Sequence, residues 1–136
     1  MIKRGWKNVI SSPNILSSKR KYSIELHFDL FHGYGNLIKA IELMHKKDRE
    51  EFKKYVKNKN YFNPHIMFIA KPRIVNLWFK DLFSWLLKCE KVFGFKKLKG
   101  YDTTRLYAYL AERYLSFWFK KYTKYLEWPY ITKEYK

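Results

Sequence analysis

HIMFIAKPRIVNLWFKDLFSWLLKCEK, residues 65–91, carries two periodicities back to back. His65-Ile66-Met67-Phe68-Ile69-Ala70 is a short apolar, β-prone run and reads as a strand. Pro72 suits the first turn of a helix beginning near Arg73. From there Val75, Trp78, Phe79, Leu82, Phe83 and Leu86 recur at i, i+3, i+4 and i+7 through about Cys89, the period of an amphipathic helix. A single strand cannot satisfy its own backbone groups. Its partner is a second copy, another chain, or a strand hidden in the first 21 residues.

Reading outward, Gly94 to Gly100 is a basic connection, and a long helix follows from about Thr103 to Leu126, closed by Pro129. Upstream, Ser23 caps a first short helix carrying Ile24, Phe28 and either Phe31 or Leu30 on its apolar stripe, and Gly33-Tyr34-Gly35 interrupts it. A second helix starts near Asn36, with Leu37, Ile38, Ile41 and Met44 on one stripe. Asp48 is expected to cap the charged turn DREEFKKYVKN, whose Phe52, Tyr55 and Val56 form the buried edge. The expected fold is mainly α with one or two short strands: an irregular lead-in over 1–21, a helical portion over 22–128 and a tail over 129–136.

The chain has 136 residues, enough for one core. It carries 29 basic and 12 acidic side chains, a net charge of +17. At 47% hydrophobic and 21% aromatic it is too apolar for a disordered basic tail. The lone Cys89 excludes a disulfide framework, and no apolar run approaches the roughly 20 residues of a membrane span. Only six of the basic residues are arginine, the side chain that reads phosphate bidentately, which weighs against nucleic acid. Richness in Lys, Tyr, Phe, Ile and Asn is also what an AT-rich genome over-produces. Lysines interleaved with Trp, Tyr and Phe over 83–101 and 114–130 suit an anionic headgroup interface. Stacking on single-stranded bases uses the same residue types.

There is no Walker loop, dinucleotide-binding glycine pattern or HExxH, and the histidines and Cys89 do not fall at zinc-ligand spacing. No close Asp-x-Asp pair is present to hold a divalent ion beneath a diphosphate. Three constellations remain. His32 with Gly33, Gly35 and Asn36 stands at a helix start, where backbone amides favour anions; the alternative is a plain corner with a polar histidine. Asn63-Pro64-His65 precedes the strand, placing His65 as a general base or sugar-hydroxyl partner, or as a satisfied structural histidine. Arg105, Glu112 and Arg113 share the long helix. They form either a rim ion pair or a carboxylate and guanidinium facing an acceptor or a phosphate.

Residues 65–91, with GYDTTRLYAYLAERYLSFWF over 100–119, resemble the C-terminal part of a bacterial family of capsular and exopolysaccharide glycosyltransferases once grouped only as a domain of unknown function. Met67-Phe68-Ile69, Leu82-Phe83, Leu86 and Glu90 match its strand and helix; Arg105, Glu112-Arg113 and Trp118 match its Ala/Ser-Glu-Arg helix. His32 and Leu37 look like its His-x-x-x-Asp-Leu segment. The similarity spans roughly residues 8–125, with departures at Asn36, Ile66, Trp78 and Asp81.

The resemblance implies the acceptor-side portion of a GT-A-like α/β enzyme that transfers sugar from a nucleotide-sugar donor in surface-polysaccharide synthesis. His32 and His65 are its catalytic candidates, and Asn36, Arg105, Glu112 and Arg113 its substrate or phosphate contacts. A divalent metal is compatible with such chemistry, although this chain shows no ligand motif for one. The family's nucleotide-binding half is not matched, so the chain is expected to be truncated or split and inactive alone. Its expected partners are a glycan or lipid-linked acceptor, a separately encoded N-terminal half and an anionic membrane. The expected place is cytoplasmic, peripheral on the inner face of the cell membrane. The alternative is a non-enzymatic basic, aromatic module that binds anionic membrane or nucleic acid.

Overall fold

The structure, a computed structural model, describes residues 22–127 and the backbone of residues 9–11. In chain order its elements are β1 (Val9–Ser11), α1 (Ile24–His32), α2 (Asn36–Glu42), α3 (Lys46–Asn58), β2 (Phe68–Ile69), α4 (Pro72–Phe93), α5 (Tyr101–Thr104), α6 (Leu106–Tyr122) and β3 (Tyr125–Glu127). The chain is mainly helical, as its periodicities require. Local chemistry sets several boundaries as expected. The Ser23 hydroxyl accepts the Leu26 amide at 3.2 Å, Pro72 occupies the first turn of α4, and Gly94 ends that helix at φ 61°.

Four expectations are corrected. Asp48 does not cap α3; His45 holds that position and Asp48 lies inside the first turn, completely buried. The long helix is two. Arg105, at φ −92° and ψ 20°, breaks it between α5 and α6. The second of these stops at Tyr122, four residues short of Leu126, where the Thr123 hydroxyl donates to the Phe119 carbonyl at 2.6 Å and the backbone turns extended into β3. The strand expected over 65–70 shrinks to Phe68–Ile69, because residues 65 and 66 form a bend with His65 at φ 66°.

The unpaired strand finds its partner in the lead-in, which is therefore not wholly irregular. β1 pairs antiparallel with β2 (Ile10 opposite Ile69) and parallel with β3 (Ile10 opposite Leu126), giving the order β2-β1-β3. The tail expected over 129–136 lies outside the described residues.

The helices close around aromatic rings, with Tyr114 at the centre. Its ring lies 5.4 Å from Phe52, 5.3 Å from Trp78 and 5.2 Å from Trp85, joining α6 to α3 and α4. Trp85 also donates its indole N–H to the Ala40 carbonyl at 2.7 Å, locking α4 onto α2. Phe119 lies 4.9 Å from Phe68 and so carries the sheet on the far end of α6. Phe52 is fully buried and touches Tyr55, Trp85, Tyr114 and Phe117. Phe52→Ala is expected to lower stability by about 3–5 kcal/mol, read as a lower urea midpoint at unchanged slope. An unchanged midpoint would show that Phe52 is not part of the cooperative core.

Candidate functional site

Arg113 projects from α6 into a junction with α1 and is only 2% exposed. Its guanidinium lies 4.3 Å from the Phe62 ring centroid and 5.3 Å from that of Phe28. One terminal nitrogen donates to Glu112 Oε2 at 3.1 Å and to the Tyr109 carbonyl at 3.4 Å. The other stands 3.3 Å from both His27 Nδ1 and His32 Nε2. A guanidinium only donates, so both imidazole nitrogens accept.

His32 is fixed from every side. Its Nδ1 lies 3.1 Å from the Asp102 carbonyl, which can only accept, so Nδ1 carries the proton and Nε2 receives Arg113. Tyr109 stacks on the ring at 3.8 Å between centroids and 19° between planes. Burial, and then the Arg113 charge, lower the His32 pKa from 6.5 to about 4. His32 is thus neutral near pH 7 with both nitrogens engaged, which makes it a positioning group.

Asn36 supports this corner by donating to the His32 carbonyl at 3.0 Å. Gly33 (φ 101°) is required beneath it, since a Cβ there would lie 2.3 Å from Asn36 Nδ2. The Gly35 amide meanwhile donates to Asp29 Oδ1 at 3.0 Å, so an anionic side chain of the fold already occupies this helix start.

Arg105 and Arg113 play different parts. Arg105 is exposed, donates to the Tyr101 hydroxyl and lies 5.9 Å from the Tyr109 ring centroid. Arg113 approaches that same ring to 5.7 Å. Tyr109, one helical turn from each arginine, therefore links the buried cation to the exposed one; the i, i+4 spacing in both directions was the sequence signal for it. Arg105 stands beside α1 and α5, whereas the sheet packs at the Phe119 end of α6. His65 stays outside the cluster, exposed in the bend before β2. Its neighbour Asn63 is buried and donates its amide to Ser116 Oγ at 2.8 Å.

A second polar group escaped the sequence reading. Asp48 accepts the Tyr114 hydroxyl at 2.6 Å and that of Tyr122, and pairs with Lys121 at 3.0 Å. Asp81 on α4 accepts the Trp118 indole at 2.8 Å and Lys47 at 2.6 Å. Between the two carboxylates lies His45, 3.6 Å from Asp48 and 3.9 Å from Asp81. These three residues each offer a ligand atom, all within 4.8 Å of one another, a set that could receive a cation. The lysines already place ammonium groups on both carboxylates, so the arrangement is a charge-balanced network before any ion enters. Burial opposes the Asp48 charge, but hydrogen bonds from Tyr114, Tyr122 and Lys121 outweigh it and hold the carboxyl below its ordinary range. The sequence signal was present, since Asp48, Phe52 and Val56 repeat at i, i+4 and i+8 on one stripe.

Three substitutions test these assignments. His32 binds its proton more weakly folded than unfolded, so its stabilising contribution is complete above pH 6.5 and fades as pH falls toward about 4. The stability difference between wild type and His32→Gln should therefore be largest at neutral pH and shrink through that window; parallel pH profiles would contradict the assignment. Asp48→Asn should cost about 3–5 kcal/mol by leaving Lys121 and the hydroxyls against a neutral amide. Tyr114→Phe should cost about 1.5–3 kcal/mol as the loss of one charge-assisted hydrogen bond. A cost below about 1 kcal/mol for Asp48→Asn, the range of an exposed pair, would remove the network from the core.

Among the described residues no helix is long and apolar enough to cross a membrane. No curated protein and no solved structure matches the chain. A family described as a domain of unknown function, DUF4422, matches residues 4–124. That match covers all the helices, both ends of the Arg113 junction and the Asp48 network, and on it the chain belongs to the DUF4422 family.

Proposed function

We propose that this chain is the acceptor-side, mainly helical portion of a GT-A-like glycosyltransferase that moves sugar from a nucleotide-sugar donor during surface-polysaccharide synthesis. It would work with a nucleotide-binding part supplied by other residues. One observation carries the reading. Five positions singled out in the sequence, His32, Arg105, Glu112 and Arg113, which match the glycosyltransferase resemblance, and Asn36, which departs from it, come from helices some 70 residues apart and meet at one junction.

Within that reading the residues divide the work. Arg113 is too enclosed to meet a phosphate unless Phe62 and His27 move, so its part is to hold His27, His32 and Tyr109 in place. Arg105 is the exposed cation, suited to charge developing on a departing diphosphate. Tyr101, exposed beside Arg105, offers an aromatic ring to a sugar, while the Tyr109 ring is taken up by His32. Glu112 neutralises Arg113 and orients it. His32 has no free nitrogen, so the proton acceptor for the sugar hydroxyl is His65, exposed in the bend before β2, or a group of the nucleotide-binding part.

Incubated alone with nucleotide sugars and lipid-linked acceptors, the chain should form no product. Mixed with a separately produced nucleotide-binding domain of the family it resembles, it should support transfer. Arg105→Ala should then reduce the rate roughly tenfold or more without moving the urea midpoint. Turnover by the chain alone would refute the acceptor-side assignment, and silence in every mixture would refute sugar transfer itself.

A further inference from the structure

The solvent side of α4 is not the polar face that an ordinary surface helix presents. Phe79, Phe83 and Leu87 follow one another at i, i+4 and i+8, and are 41%, 52% and 57% exposed. They line one stripe of a helix that buries Trp78, Leu82, Trp85 and Cys89 on its other side. Arg73, Lys80, Lys88 and Lys91 are exposed around that stripe, against the single carboxylate of Glu90. The pattern continues past the helix end, where Phe95 is 59% exposed beside Lys96 and Lys97. There Lys91, Phe93, Phe95, Lys96 and Lys97 wall a shallow hollow of about 440 Å³.

We infer that this face of α4, with the 91–97 connection, seats the protein on an anionic lipid surface. Phe79, Phe83 and Leu87 enter the headgroup–acyl boundary and the lysines meet lipid phosphates. An amphipathic helix lying in the interface needs this combination: apolar side chains for the acyl boundary, and cations whose long stems keep the ammonium groups at headgroup level. Charge selects this occupant over a second copy, because pairing two such faces would set Arg73, Lys80, Lys88 and Lys91 of each against those of the other with only Glu90 from each to answer them. Chemistry selects it over single-stranded nucleic acid. Leu87 cannot stack on a base, and the flanking cations are mostly lysine, a point charge well suited to a headgroup phosphate. The inference stands on the α4 face alone and does not depend on the sugar-transfer reading.

Flotation with phosphatidylglycerol–phosphatidylcholine vesicles and with pure phosphatidylcholine vesicles, in about 0.1 M and about 1 M salt, tests it. The wild-type chain should float with the anionic vesicles at low salt, and at least tenfold less with neutral vesicles or at high salt. Phe83→Ser with Leu87→Ser, and separately Lys80→Glu with Lys91→Glu, should each weaken anionic binding at least tenfold. Both pairs are exposed, so unchanged urea midpoints confirm that folding is intact. Lys54→Glu with Lys57→Glu, the same charge change on exposed α3 positions, should leave binding within about twofold. Equal loss in the α3 control would reduce the effect to net charge and overturn the docking face, as would binding that survives Phe83→Ser with Leu87→Ser. A wild-type dimer that this apolar double substitution converts to monomer would assign the face to a second copy and equally overturn it. So would tighter retention on single-stranded oligonucleotide than on anionic vesicles.

Discussion

A carboxylate buried where the helical period calls for an apolar side chain constrains the rest of this molecule. Asp48 is the first member of the stripe that continues through Phe52 and Val56, and it is as deeply buried as they are. A charge in that position is tolerable only if it is answered completely. Tyr114 and Tyr122 from α6 and Lys121 beside them supply the answer. Once α6 is committed in that way, the Tyr114 ring must stand among Phe52, Trp78 and Trp85, and the packing of α4 follows. The polar network and the aromatic core are therefore one structure. The hydroxyl of Tyr114 sets the register and its ring fills the space.

α6 distributes these demands around its circumference. Tyr109 and Arg113 face α1, Tyr114 faces α3 and α4, and Phe119 faces the small sheet. The Arg113 junction is thereby fixed to the same helix that the Asp48 network orients. A disturbance at either place can reach the other through α6, a path of rigid backbone and packed rings, and through the packing of α1 on α3. The exposed group of the junction, Arg105, sits where the helix breaks, one residue before the fully buried Leu106. That arrangement separates the rigid positioning residues from the ones free to meet a ligand.

Buried cations and exposed cations do opposite things here, and net charge hides the difference. Of the residues that make the chain +17, Arg113 and Lys121 are absorbed by internal partners. Those of α4 stay at the surface beside exposed phenylalanines. The same lysine-and-aromatic composition thus serves the core in α6 and leaves a bare face on one side of α4. No count of residue types distinguishes them, because the distinction lies in which side of a helix each residue occupies.

Hydrophobic period and local capping determined much of this protein from its sequence: the helical class, the start of α1 at Ser23, Pro72 at the head of α4, and the break at Gly33 to Gly35. These rules act within one or two turns, so they are legible without a fold. The resemblance drew attention to His32, Asn36, Arg105, Glu112 and Arg113, but their proximity and separate roles were not legible. His32 is neutral because the fold buries it and because Arg113, 81 residues away, stands against it, and Asp102 fixes its tautomer. The unpaired strand found its partner in the lead-in, and Asp48 became a buried anchor where a helix cap was expected. Each of these outcomes is settled by a contact between segments distant in sequence. Burial, protonation and strand pairing depend on what lies opposite a residue, and only the tertiary structure decides that.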